Sequence, residues 1–256
     1  MEQQTLHSLL LSLAAGLSTL LGALMIVVVK KKNDRLITAA LGFAAGVMIS
    51  VSFLDMFPNA QTLLSAWAGP KLGMLYTVFA MLIGVLIGVL LDKLVPHQAT
   101  VHEGKSHEMY RLGMLSMIAI AVHNFPEGIA TFTAGIADVR LGATVALAIA
   151  LHNIPEGISV AMPIYFASGS RRKALFAAFL AGISEPIGAL LAYFFLLPFL
   201  NDLLLGIVFA IICGIMLYIA IEELMPVSRS YGHARLALAS TFIGICIMPL
   251  THILGS

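Results

Sequence analysis

Apolar residues fill the chain in blocks of about twenty, and short polar stretches separate the blocks. A bilayer core of about 30 Å is crossed by about 20 residues of helix. Eight blocks meet or approach that length, at 7–29, 36–57, 72–92, 112–135, 141–166, 174–197, 203–226 and 234–254. The breaks between them are short, such as "KKKNDR" at 30–35, "SGSRRK" at 168–173 and "VSRSYGHAR" at 227–235. The longest, 93–111, reads "KLVPHQATVHEGKSHEMYR". None is large enough for a second domain. The pattern predicts an all-α membrane protein, a single domain over 1–256 with eight transmembrane helices.

Charge sorting orients this bundle. Twelve of the 14 Lys and Arg residues fall in the odd-numbered breaks and two in the even ones. Basic residues stay on the cytoplasmic side of a membrane. Both termini are therefore expected outside, and the chain is expected to be a multi-pass protein of the inner (plasma) membrane. The basic residues form no large patch, which argues against nucleic acid as a partner. Composition agrees with the bilayer as surroundings. The chain is 60% hydrophobic and 11% charged, against about 25% charged for soluble domains. The first apolar block lacks a basic leader and a small-residue cleavage site, so it is expected to be a retained helix. Cys213 and Cys246 lie in apolar blocks and are expected to be buried free thiols.

The acidic residues break the pattern. Asp55, Glu127, Glu156, Glu185, Glu222 and Glu223 all fall inside the apolar blocks, while all 14 basic residues are counted in the breaks. An unpaired ionised carboxylate is costly to bury. Protonation, a water-filled cavity or a cation from outside the chain would each answer that cost. The last answer makes the protein a cation handler.

Two of these acids sit in a repeated motif, "HNFPEG" at 123–128 and "HNIPEG" at 152–157. Histidine and glutamate four apart lie on one face of a helix, one turn from each other. His123 with Glu127, and His152 with Glu156, can each grip one ion. Pro126 and Pro155 cannot donate to the carbonyls of Val122 and Leu151, so each helix is expected to kink and free a carbonyl beside the site. Gly128 and Gly157 permit close approach of a neighbouring helix. Each histidine lies about 16 Å along its block, near mid-membrane. The connector between the two blocks is short, which makes them antiparallel neighbours. Asn124 and Asn153 are rotated about 100° from the histidines; they could serve a second ion bridged by Glu127 and Glu156. "GISEPIGA" at 182–189 places Glu185 before another proline, also near mid-span. Imidazole, carboxylate and amide donors suit Zn²⁺, Fe²⁺, Mn²⁺ or Co²⁺, and the lack of thiolates argues against Cu(I).

These residues carry a resemblance. With "SEPIGA" and "EELMP", the paired HNxPEG motifs resemble the ZIP family of divalent metal transporters, above all its bacterial ZupT-type branch. The resemblance spans all eight blocks. It implies uptake of Zn²⁺ and related ions, Cd²⁺ among them, into the cytoplasm through a binuclear centre on the fourth, fifth and sixth helices. By match of motif, one ion would take His123, Glu127, His152 and Glu156. The second would take Asn124, Asn153 and Glu185 and share Glu127 and Glu156. The resemblance also implies inverted 3+2+3 repeats around the central pair. "LDMFP" at 54–58 and "EELMP" at 222–226 fit that symmetry. Asp55 is then expected near the outer mouth, and Glu222 and Glu223 near the inner mouth, as pathway ligands. Solvated helix-end carboxylates are the plainer alternative for these three.

Other signals carry less. His97, His102, His107, Glu103 and Glu108 make the third break rich in weak donors, although a solvated loop explains them equally. His252 lies near the outer end of the last block. The methionines read as packing. "GFAAG" at 42–46 and "GVLIG" at 84–88 read as helix contacts and allow a homodimer. An intramembrane metalloenzyme or a metal sensor is the alternative to transport. No Walker-type "GxxxxGK[ST]" and no HExxH is present, and the di-iron Glu-x-x-His spacing is absent. The chain is accordingly expected to be no enzyme and to hold no catalytic cofactor, with divalent metal as its cargo.

Overall fold

The computed structural model describes residues 2–28, 33–94, 104–196 and 201–255, and the described chain is almost wholly helical. Eight rods follow in order. They are α1 (Glu2–Ala23, with a short continuation Met25–Val28), α2 (Asp34–Ala68), α3 (Pro70–Leu94) and α4 (Gly104–Ala137). After them come α5 (Val139–Ser168), α6 (Arg171–Leu191), α7 (Asp202–Ser230) and α8 (Ala234–Gly255). Seven rods contain a stretch long and apolar enough to cross a membrane, and α8 carries a shorter apolar run, Ala234–Leu250. The chain is a multi-pass helical membrane protein.

Polar side chains start the helices where the sequence breaks. Asn33 accepts the amides of Arg35 and Leu36, Asp138 those of Arg140 and Leu141, Ser170 that of Lys173 and Asn201 that of Leu204. Each replaces a partner that the first turn of a helix lacks. Two rods exceed their expected lengths the most. The second apolar block was expected to end at 57, and a regular helix interior does not accept the Pro58 that follows. α2 runs on to Ala68 because Ser52–Met56 widens into a π-helical turn, in which the Phe57 amide donates to the Ser52 carbonyl five residues back. The widened turn makes room for the Pro58 ring. α4 begins at Gly104 rather than 112, so His107 and Arg111 belong to a helix and not to a loop. His97, His102 and Glu103 lie outside the described residues, as do the side chains of Glu108 and His252.

The same device recurs in α7. Ile219–Leu224 forms a π-helical turn just before Met225 and Pro226, with the Met225 amide donating to the Ala220 carbonyl. Asp55 and Glu223 each stand three residues before the proline of such a turn. The packing has matching symmetry. α2 packs on α8 as α7 packs on α3, and α1 packs on α5 as α6 packs on α4. Exchanging α1 with α6, α2 with α7, α3 with α8 and α4 with α5 thus maps one set of contacts on the other.

Two groups of helices result. α1, α4, α5 and α6 pack closely on one another, while α2, α3, α7 and α8 form the second group, with lighter contact between the groups. Small residues set the closest approaches. A Cβ on Gly128 would run into the Glu185 carbonyl, and one on Gly157 into the Thr19 carbonyl. Gly42 and Gly46 meet α8, and Gly84 and Gly88 meet α7, so both small-residue patterns are used inside the chain. Cys213 is buried as expected, but Cys246 is exposed, because it lies on the outward face of α8.

Candidate metal centre

α4 and α5 run side by side through the middle of the first group and bring both HNxPEG motifs together. His123, Asn124, Glu127, His152, Asn153, Glu156 and Glu185 are all buried. The two imidazole rings lie 6.0 Å apart between centroids. Glu127 stands between them. Its Oε1 is 2.9 Å from His152 Nε2 and 3.2 Å from His123 Nε2. Glu156 Oε1 is 3.5 Å from His123 Nε2. Donor atoms around one tetrahedral Zn²⁺ at its usual bond lengths lie about 3.3 Å from each other. The cluster already has that spacing.

The polar atoms here are also under-used. Both ring nitrogens of His123, both carboxylate oxygens of Glu156, Glu127 Oε2 and Glu185 Oε1 are buried without a hydrogen-bond partner among the described residues. Buried polar groups are rarely left so. No Lys or Arg reaches Glu127, Glu156 or Glu185 among the described residues. Three carboxylates therefore share a buried interior with imidazoles and amides beside them and no Lys or Arg among the described residues.

The two asparagines are aimed by backbone. Asn124 Nδ2 donates to the Ala181 carbonyl on α6 at 3.1 Å. Asn153 Nδ2 donates to the Ala15 carbonyl on α1 at 3.1 Å and to Glu185 Oε2 at 3.0 Å. Carbonyl acceptors fix which end of each amide is the NH₂. Both Oδ1 atoms are consequently left buried without a partner. Ala15 and Ala181 thus orient the amides from outside the donor set, as supporting groups around metal ligands do. Their part was invisible in the sequence, since any residue supplies a carbonyl.

A cavity of about 200 Å³ leads to this cluster from between the helix groups. Glu127 and His152 line its inner end, with Asp55, Asn59 and Met56 of α2 and Met248 of α8 around it. Both methionines are buried in one hydrophobic cluster, as the packing reading expects, and also line this cavity. Asp55 therefore faces the route to the central cluster. At the other mouth the two adjacent glutamates part. Glu222 is exposed and Glu223 buried. Glu223 also corrects the expectation that the acids inside the apolar blocks lack cationic partners. Arg111 donates to both of its oxygens, at 2.9 and 3.1 Å, and also pairs with Asp92 of α3. The sequence placed Arg111 in a loop, whereas the early start of α4 carries it against α3 and α7.

Comparison with known proteins points to one family. The family profile described as ZIP Zinc transporter matches residues 97–251. "Zinc transporter ZupT" of Streptococcus mutans is 42% identical, covering 99% of each chain. The protein of that name from Oceanobacillus iheyensis is 43% identical over 97% of this chain and 98% of its own. The one from Chlorobaculum parvum is 41% identical over 99% of each. With the paired motifs buried on adjacent helices and relatives matched from end to end, this chain belongs to the ZIP family.

Proposed function

We propose that this protein carries divalent metal cations, Zn²⁺ first among them, across the inner membrane into the cytoplasm. The observation that carries the reading is the group of three buried carboxylates with no Lys or Arg beside them among the described residues, where His123, Glu127 and His152 offer ligand atoms within 4.8 Å of one another. A dication is the partner this charge lacks, and the names of the relatives point to the same cargo. Fe²⁺, Mn²⁺, Co²⁺ and Cd²⁺ fit the same donor types, because selectivity among divalent ions follows geometry more than ligand class.

His123, Glu127, His152 and Glu156 hold the first ion. Asn124, Asn153 and Glu185 hold a second, with Glu127 and Glu156 bridging. Three carboxylates exceed the charge of one dication, which supports room for two. Asp55 serves as a ligand on the uptake side and Glu223 on the release side. Eight membrane spans with both termini outside put the basic end of the bundle in the cytoplasm. The donors are those of a carrier and not of a catalyst, since a metalloenzyme keeps a coordination position open beside a reacting group.

The test is uptake into proteoliposomes loaded with a fluorescent metal reporter. Saturable Zn²⁺ entry that Glu127→Ala removes is expected. Metal that binds the parent protein without any flux would contradict transport and favour a sensor or an enzyme.

A further inference from the structure

The two mouths of the protein share a design but differ in state. At one, Asp55 stands in its π-helical turn beside the cavity that reaches Glu127 and His152. At the other, Glu223 stands in the matching turn of α7, and the space toward the centre is filled. Leu41 and Met48 of α2, Leu112 and Ala119 of α4, and Ile215 and Ile219 of α7 pack there as one dry cluster. The cluster joins the two helix groups, since α4 belongs to the first and α2 and α7 to the second. Arg111 closes its end, about 18 Å along α4 from His123.

Arg111 is placed to join the two groups. Its guanidinium grips both oxygens of Glu223 on α7 and pairs with Asp92 on α3, while α4 itself belongs with the metal-binding helices. The side chains are little exposed, at 11% for Arg111 and 7% for Glu223. One nitrogen serves both oxygens of Glu223 and the other serves Asp92, so a single planar group holds two helices by charge-assisted hydrogen bonds, which are stronger than neutral ones. Removing one member leaves an uncompensated buried charge.

We propose that Arg111 is a gating residue, a latch that ties the metal-binding helices to α3 and α7 and holds the basic end of the pathway shut. For the ion to leave by that end, α4 must part from α7, and Arg111 must release Glu223. This last step rests on the transport reading; the latch itself does not.

The test uses the full chain in liposomes, with Cys213 and Cys246 replaced by serine. Ala119→Cys, buried one turn from His123, reports the basic end through its reaction with a charged, membrane-impermeant maleimide. Ala148→Cys, in the lining of the open cavity, reports the other end. Arg111→Met is expected to raise the labelling rate at position 119 about tenfold or more, by making a minor open state common. The pair Asp92→Asn with Glu223→Gln should do the same, and Arg111→Lys, which keeps the charge but not the two-armed reach, should label between the parent and Arg111→Met. Labelling at position 148 should hold or fall. The triple variant Arg111→Met, Asp92→Asn, Glu223→Gln leaves no unpaired charge at the latch and guards against misfolding; it too should label fast at 119. Unchanged labelling at 119 in these variants would overturn the latch. So would a parallel rise at both positions, which marks general loosening. The readout is a thiol and not a flux. Fast labelling with no metal uptake in the parent would sink the transport reading and leave the latch standing.

Discussion

Glu156 and Glu223 are both buried glutamates on helices that line the pathway, yet their surroundings differ in one respect. Glu223 has a guanidinium on both oxygens, whereas both oxygens of Glu156 lack a hydrogen-bond partner among the described residues. Among the described residues the chain supplies its own cation at one place and no Lys or Arg at the other. On the proposed reading, the central acids are left open for an outside ion, while Arg111 holds Glu223. That contrast separates an acid held by the chain's own cation from the proposed central ligands, which burial alone does not.

The contrast can be broken most forcefully through Glu127, which touches both histidines. Glu127→Ala should cut Zn²⁺ flux at least about 100-fold, beyond the 10–100-fold cost of losing a supporting group around a metal. Flux near the parent level would erase the special status of the central acids. Stability gives a comparison of opposite sign. Without metal, Glu223→Gln should lower stability by about 2 kcal/mol, the worth of hydrogen bonds to a charged group. Glu156→Gln should raise it by about 1 kcal/mol, because an unpaired buried charge is removed. Thermal unfolding in detergent measures both. Saturating Zn²⁺ at about 100 times its dissociation constant should add about 2.7 kcal/mol to the parent. The Glu223→Gln protein should keep most of that gain and the Glu156→Gln protein should lose it. Equal signs for the two metal-free variants would undo the comparison.

Acid should weaken metal binding at the centre. Ligands must shed protons to bind metal, and an ordinary imidazole is about nine-tenths protonated at pH 5.5. Zn²⁺ affinity should fall about tenfold or more between pH 7.5 and 5.5, as read by competition with a chelating dye. The smallest effect belongs to the open mouth. Asp55→Asn should raise KM about threefold through lost attraction at a screened site and leave the equilibrium affinity of the centre unchanged.

The centre was legible because its pattern is local. His and Glu four apart, repeated at matching depth beside a proline, specify one helix face whatever the rest of the fold does. Burial of all seven proposed ligands follows from that pattern. The ends were less legible. Pro58 signals a stop in any regular helix, and only the π-helical turn before it lets α2 continue. Arg111 reads as a loop residue because charge usually marks the end of a span; its partners Asp92 and Glu223 are remote in sequence. Glu222 and Glu223 look alike on paper, and the turn of one residue puts one outside and the other inside. Glu223 shares with Asp55 its place three residues before a proline, which was the signal that could have singled it out.

The most direct measurement is anomalous scattering from crystals of the full chain grown with Zn²⁺ or Cd²⁺. The account predicts the strongest peak among His123, Glu127, His152 and Glu156, with a second peak beside Asn124, Asn153 and Glu185. Peaks confined to the surface or to the Arg111 end, with none between α4 and α5, would contradict it.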